Sequence, residues 1–87
     1  MAAIDPSQFK ALYKHFPELT ENQIVNVLLF SIGNNFDEIA EIRCVSVTTI
    51  KKGLYSAQEK LDLQSLHMLR TVVLNRMFIQ TLIAVTV

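Results

Sequence analysis

The residues best suited to chemistry lie between Val47 and Tyr55, in the run VTTIKKGLY. Thr48, Thr49, Lys51, Lys52 and Tyr55 supply hydroxyl and ammonium groups, and Lys60 adds a further cation downstream. Such groups bond phosphate oxygens, and a lysine also reaches the O6 and N7 acceptors of guanine. From Val47 to Tyr55 there are two lysines and no acid, a local charge of +2 in a chain whose net charge is zero. On a helix, Ile50 would turn inward and the polar side chains would stay outside. That is the arrangement a helix needs to lie in a DNA major groove. The plain alternative is an ordinary solvated helix face.

Other chemistry finds less support. Asp37, Glu38 and Glu41 form an acidic patch suited to a helix N-terminus; acid–base catalysis would also need a pocket and a partner. His15 and His67 are far apart and lack metal-ligand spacing. Cys44, beside Arg43, is a candidate redox sensor, although a lone cysteine is more often a small packed residue. There is no Gly-rich phosphate loop and no nucleophile elbow. The expectation is a binding protein without catalytic residues, metal or cofactor.

The elements that must position these groups are all helical. Asp5-Pro6 opens a first helix carrying Phe9, Leu12, Tyr13 and Phe16 at i, i+3, i+4 and i+7, and Pro17 ends it. Thr20, with Gln23 three residues on, reads as a capping box for a second helix, which Gly33 closes. Asn34 or Asn35 caps a third helix over about Phe36 to Arg43. Ser46 caps a fourth, from Val47 to Lys60 or Leu61. Ala40 is small where the third and fourth helices cross, and Val45 and Ile50 pack the fourth back on the third. A turn over Asp62 to Ser65 precedes a fifth helix from about Leu66 to at least Thr81, with Ala84 to Val87 frayed. On that helix Met68, Leu69, Val72, Val73, Met77 and Ile79 form a core arc. Leu74, Phe78 and Leu82 form a second stripe roughly opposite, and a helix apolar on two sides is packed on two sides.

Eighty-seven residues make one domain, and 51% of them are hydrophobic, more than so small a core hides. The surplus calls for a partner, most simply a second copy. Between Leu66 and Val87, 14 of 22 residues are apolar. Arg70, Asn75, Arg76 and Gln80 interrupt them, so no clean membrane-spanning run is expected. One cysteine, and an N-terminus without a long apolar core, point to a reducing cytoplasm.

Residues 19–66 resemble the LuxR/GerE-type helix-turn-helix domain of NarL- and FixJ-like regulators. Leu19-Thr20, Leu29, Gly33, Glu38-Ile39-Ala40-Glu41, Val45-Ser46, Thr49-Ile50-Lys51, Lys60-Leu61 and Leu63 carry the likeness without a gap. Arg43, Cys44, Asn26 and Gly53 depart from the pattern; an αL turn at Cys44 would be costlier than at Gly. The resemblance implies a small all-α bundle in three parts: an N-terminal extension over 1–18, the helix-turn-helix over 19–66, and an apolar C-terminal helix over 67–87. It implies a bacterial transcription regulator that binds double-stranded DNA through Thr48, Thr49, Lys51, Lys52, Tyr55 and Lys60. Dimerisation would run through Leu74, Phe78 and Leu82. The alternative is a helix-turn-helix fold that binds another regulator through its apolar helices.

Overall fold

The computed structural model describes residues 6–86. Among them are a 3₁₀ helix, Pro6–His15, and four α-helices: α1 Glu21–Ser31, α2 Phe36–Arg43, α3 Val47–Lys60 and α4 His67–Thr86. No strand occurs among the described residues. The expected all-α bundle with a long C-terminal helix is what the chain forms.

The helix starts follow from their caps. Thr20 Oγ1 accepts from Gln23 N at 3.2 Å, and Gln23 Oε1 accepts from Thr20 N at 3.0 Å, a complete capping box on α1. Asn35 and Glu38 make the same exchange on α2, at 2.8 Å in each direction. Ser46 Oγ accepts from Thr49 N at the start of α3. At the end of α1 the chain reverses through Gly33, whose φ of +110° an L side chain rarely adopts. The Asp5 cap expected for the first helix lies outside the described residues.

The core gathers around α1, which is buried along most of its length from Ile24 to Phe30. Leu29, Ile39, Leu54, Ala57 and Leu69 are wholly buried, and Phe16, Val27 and Ile50 nearly so. α1 packs on α3 and α4, and α2 packs on α3. Phe9, Leu12 and Tyr13 of the 3₁₀ helix cover one flank of this cluster.

Four expectations need correction. The first helix winds as 3₁₀, not α; two turns of i, i+3, i+7 spacing do not separate a period of 3.0 from one of 3.6. α4 runs on through Thr86, so residues 84–86 are helical, not frayed; Val87 lies outside the described residues. Of the supposed core arc on α4, Leu69 and Val73 are buried and Met77 packs against the core, but Met68 and Ile79 are exposed and Val72 is half-buried. Val45 is exposed: the turn engages its backbone N–H, which donates to Ala40 O at 3.0 Å, and not its side chain. Interrupted by Arg70, Asn75, Arg76 and Gln80 as it is, His67–Val85 is long and apolar enough to cross a membrane by length and composition, with 11% of it buried.

Candidate nucleic-acid interface

The turn between α2 and α3 is three residues, Cys44 to Ser46. Cys44 takes the left-handed conformation, φ 55° and ψ 43°. Its N–H donates to Glu41 O and that of Val45 to Ala40 O, so the last turn of α2 is closed by backbone bonds. Ala40, only 6% exposed, sits in the core where α2 and α3 meet. A larger side chain there would push the two helices apart.

α3 is thereby held with Ile50, Leu54 and Ala57 inward. Thr48, Thr49, Lys51, Lys52, Tyr55 and Lys60 are all exposed, so the structure brings five of the six sequence candidates to the first half of one solvent-facing surface. They are not equally available. Thr49 Oγ1 shares a hydrogen bond with Ser46 Oγ at 2.9 Å, which orients its hydroxyl toward the cap. Lys60 lies apart from the others and donates from Nζ to Gln23 Oε1 at 2.9 Å. Gln23 in turn donates to Ser56 Oγ at 2.9 Å. One glutamine thus links the start of α1 to the second half of α3. Nothing in the spacing of Gln23 and Lys60 announces that bond.

Lys51 Nζ stands 5.6 Å from the centre of the Phe36 ring. Phe36 stacks on Phe30, centroids 6.0 Å apart and planes within 13°. The Arg70 guanidinium lies over the Phe30 ring, 3.9 Å from its centre, and donates from Nε to Phe30 O at 2.9 Å. A column of cation, ring, ring and cation therefore runs from α3 through α2 and α1 to α4. Contacts of this kind contribute about 0.5–1 kcal/mol each at exposed sites. Beside the column lies a groove of about 250 Å³ lined by Phe30, Asn35, Phe36, Leu66, His67 and Arg70.

The two departures at Asn26 and Gly53 are one feature. Asn26, on α1, is 7% exposed, and its Oδ1 has no hydrogen-bond partner. A Cβ on Gly53 would come within 3.1 Å of Asn26 Nδ2. The absent side chain on α3 is the space into which the amide on α1 fits. Arg43, the third departure, donates from Nη2 to Asn22 Oδ1 at 2.7 Å and so ties α2 to α1.

Elsewhere the one salt bridge among the described residues is Arg76–Glu18 at 2.7 Å. It is two-pronged, with Nη1 to Oε1 at 3.0 Å, and Nη1 also donates to His15 O at 2.8 Å. The Arg76 hydrogen bonds hold the Glu18 carboxyl below its ordinary pKa, helped by a backbone hydrogen bond and by the guanidinium charge. Cys44 is exposed and unpaired by disulfide. No three His, Cys, Asp or Glu side chains among the described residues gather as a metal site. The chain matches no known family profile, no curated protein and no solved structure.

Proposed function

We propose that the chain is a helix-turn-helix transcription regulator that binds double-stranded DNA as a dimer, with α3 in the major groove. The observation that supports this most is the split of α3. Its buried edge is Ile50, Leu54 and Ala57, and its exposed edge is Thr48, Thr49, Lys51, Lys52 and Tyr55. Lys51 and Lys52 serve as phosphate or guanine contacts, Thr48 and Tyr55 as hydrogen-bonding neighbours. Ser46 and Thr49 together form the helix start that meets the backbone. Lys60, bonded to Gln23, acts as a flanking positive charge. The protein on this reading is not an enzyme, uses no cofactor and works in the cytoplasm of a bacterium.

The test is a mobility-shift titration with genomic fragments at two salt concentrations, on wild type and on Lys51→Ala/Lys52→Ala. Binding should survive competitor DNA and weaken with salt as counterions compete for the phosphates. The double variant should melt like wild type, bind at least tenfold more weakly and show a shallower salt dependence. Equal affinity in the variant would remove α3 from the interface.

A second reading, a module that binds another regulator, draws on the zero net charge and on the apolar exposed surface of α4. It predicts that the α3 double variant retains function while α4 variants lose it.

A further inference from the structure

Two arginines of α4 are set in the same way, and only one of them holds a carboxylate. Arg76 lies 5.1 Å from the centre of the Phe16 ring and donates to a backbone carbonyl, that of His15. Its Nη1 and Nη2 reach the two oxygens of Glu18. Arg70 lies 3.9 Å from the centre of the Phe30 ring and donates from Nε to Phe30 O. Its Nη1 and Nη2 meet no carboxylate, because Arg76–Glu18 is the one salt bridge among the described residues. A guanidinium fixed through Nε still presents a planar pair of donors that fits both oxygens of a carboxylate. Glu18 shows on Arg76 what such a setting accepts.

Arg70 lines the groove of about 250 Å³ formed by the end of α1, the start of α2 and the start of α4. Phe30, Phe36 and Leu66 give it apolar walls. The side-chain polar groups beside them offer donors. Asn35 Oδ1 already accepts from the Glu38 N–H, which leaves the two N–H bonds of the Asn35 amide. His67 is exposed and carries a ring N–H in either tautomer. No Asp or Glu among the described residues lines the groove. We infer that it binds a small aromatic carboxylate. The ring lies among Phe30, Phe36 and Leu66, the carboxylate bonds to Arg70, and His67 and Asn35 add further donors.

Size and wall chemistry select among anions. A cavity of about 150 Å³ holds benzene, so this groove has room for one or two fused rings and a short acid arm. Phenyl rings attract a second ring at their faces and edges. A straight-chain acid makes no such contacts, and a bare phosphate leaves the apolar walls uncovered. The groove is also separate from the DNA-facing edge of α3. Lys51 meets Phe36 from α3 but is not part of the lining.

The experiment is an amide NMR titration of the full chain without DNA. The probes are indoleacetate, its neutral match indoleacetamide, hexanoate and inorganic phosphate. Indoleacetate should bind with a Kd of roughly 1 mM or tighter, and its largest shifts should fall on Phe36, Leu66, His67 and Arg70. Each of the other three probes should bind about tenfold more weakly or worse, for want of the charge or of the ring. Arg70→Gln should lose about tenfold or more in affinity for indoleacetate, and His67→Ala, at an exposed site, should lose less and keep the wild-type spectrum elsewhere. No shifts with indoleacetate, shifts centred on other residues, or equal binding by any of the other three probes would overturn the inference. So would an Arg70→Gln protein that binds like wild type. The comparison among probes uses wild type alone, so it decides the matter even if Arg70→Gln does not fold. Because no DNA is present, failure here leaves the α3 reading to its own test.

Discussion

Gly53 and Asn26 allow a prediction whose size follows from the geometry. A glycine inside a helix costs about 1 kcal/mol relative to alanine, so Gly53→Ala gains that much if the new methyl group fits. It meets Asn26 Nδ2 at 3.1 Å, where ordinary contact begins at 3.4 Å, so the amide must retreat by 0.3 Å. Asn26 has little room to do so, being 7% exposed on a helix buried along that stretch. Moving it off its rotamer costs about 0.5–1.5 kcal/mol, which cancels the gain. Gly53→Ala alone should therefore be neutral to within about 0.5 kcal/mol. In an Asn26→Ala background the obstruction is gone, and the same substitution should stabilise by about 1 kcal/mol. The coupling energy of the cycle is then about 1 kcal/mol, within the range of residues in direct contact. Urea unfolding of the four proteins, followed by circular dichroism, measures it. If Gly53→Ala stabilises equally in both backgrounds, the amide does not oppose the methyl group and the pairing of the two residues is mistaken.

Three further outcomes are expected. Ala40→Leu should destabilise by about 1–3 kcal/mol, because added volume at the α2–α3 contact has no space to fill; a fully stable variant in the same urea assay would contradict the packing described for the turn. Cys44→Gly should stabilise by up to about 1 kcal/mol by relieving the left-handed backbone at φ 55°, partly offset by the greater freedom of glycine in the unfolded chain; a clear loss would mean that the thiol holds the turn. The Glu18 carboxyl is depressed from 4.5 by Arg76, so its contribution is present above the unfolded pKa and is lost as pH falls through the folded one. With the pair partly exposed, that contribution is at most about 1 kcal/mol. Glu18→Gln should be the less stable protein at pH 7 and converge with wild type only as the pH falls through the lowered folded pKa of Glu18; parallel curves across that fall would place the acid sensitivity elsewhere.

What was legible in the sequence was mostly local. Thr20 with Gln23, Asn35 with Glu38, and Ser46 each supply the side-chain oxygen that a helix start needs within three residues, so caps and boundaries could be read directly. Gly33 marked the end of α1 because few other residues adopt its φ. The exposed row from Thr48 to Tyr55 followed from helical period alone. What was not legible depends on residues distant along the chain. Lys60 meets Gln23 across 37 positions, and Asn26 meets the space at Gly53. The apolar character of α4 is plain, but its composition does not say that the helix outruns the bundle after Met77, so Ile79, expected inside, lies outside. The winding of the first helix escaped for a different reason: its apolar spacing fits 3₁₀ and α alike over two turns.

Arg76 has a consequence for the order in which the molecule assembles. Its partners Glu18 and His15 lie 58 and 61 residues earlier, and its guanidinium also covers Phe16 at 5.1 Å from the ring centre. A short 3₁₀ helix has little cohesion by itself. As the chain leaves the ribosome, His15 and Glu18 must wait for 61 and 58 further residues before the side chain that clasps them is made. Closing so large a loop is entropically expensive and comes after the local helices have formed. The N-terminal segment is therefore the last part to be secured during synthesis and the first released on unfolding. Its amides should exchange with solvent well before those of α1, and a chain terminated ahead of Arg76 should show the difference at its other end.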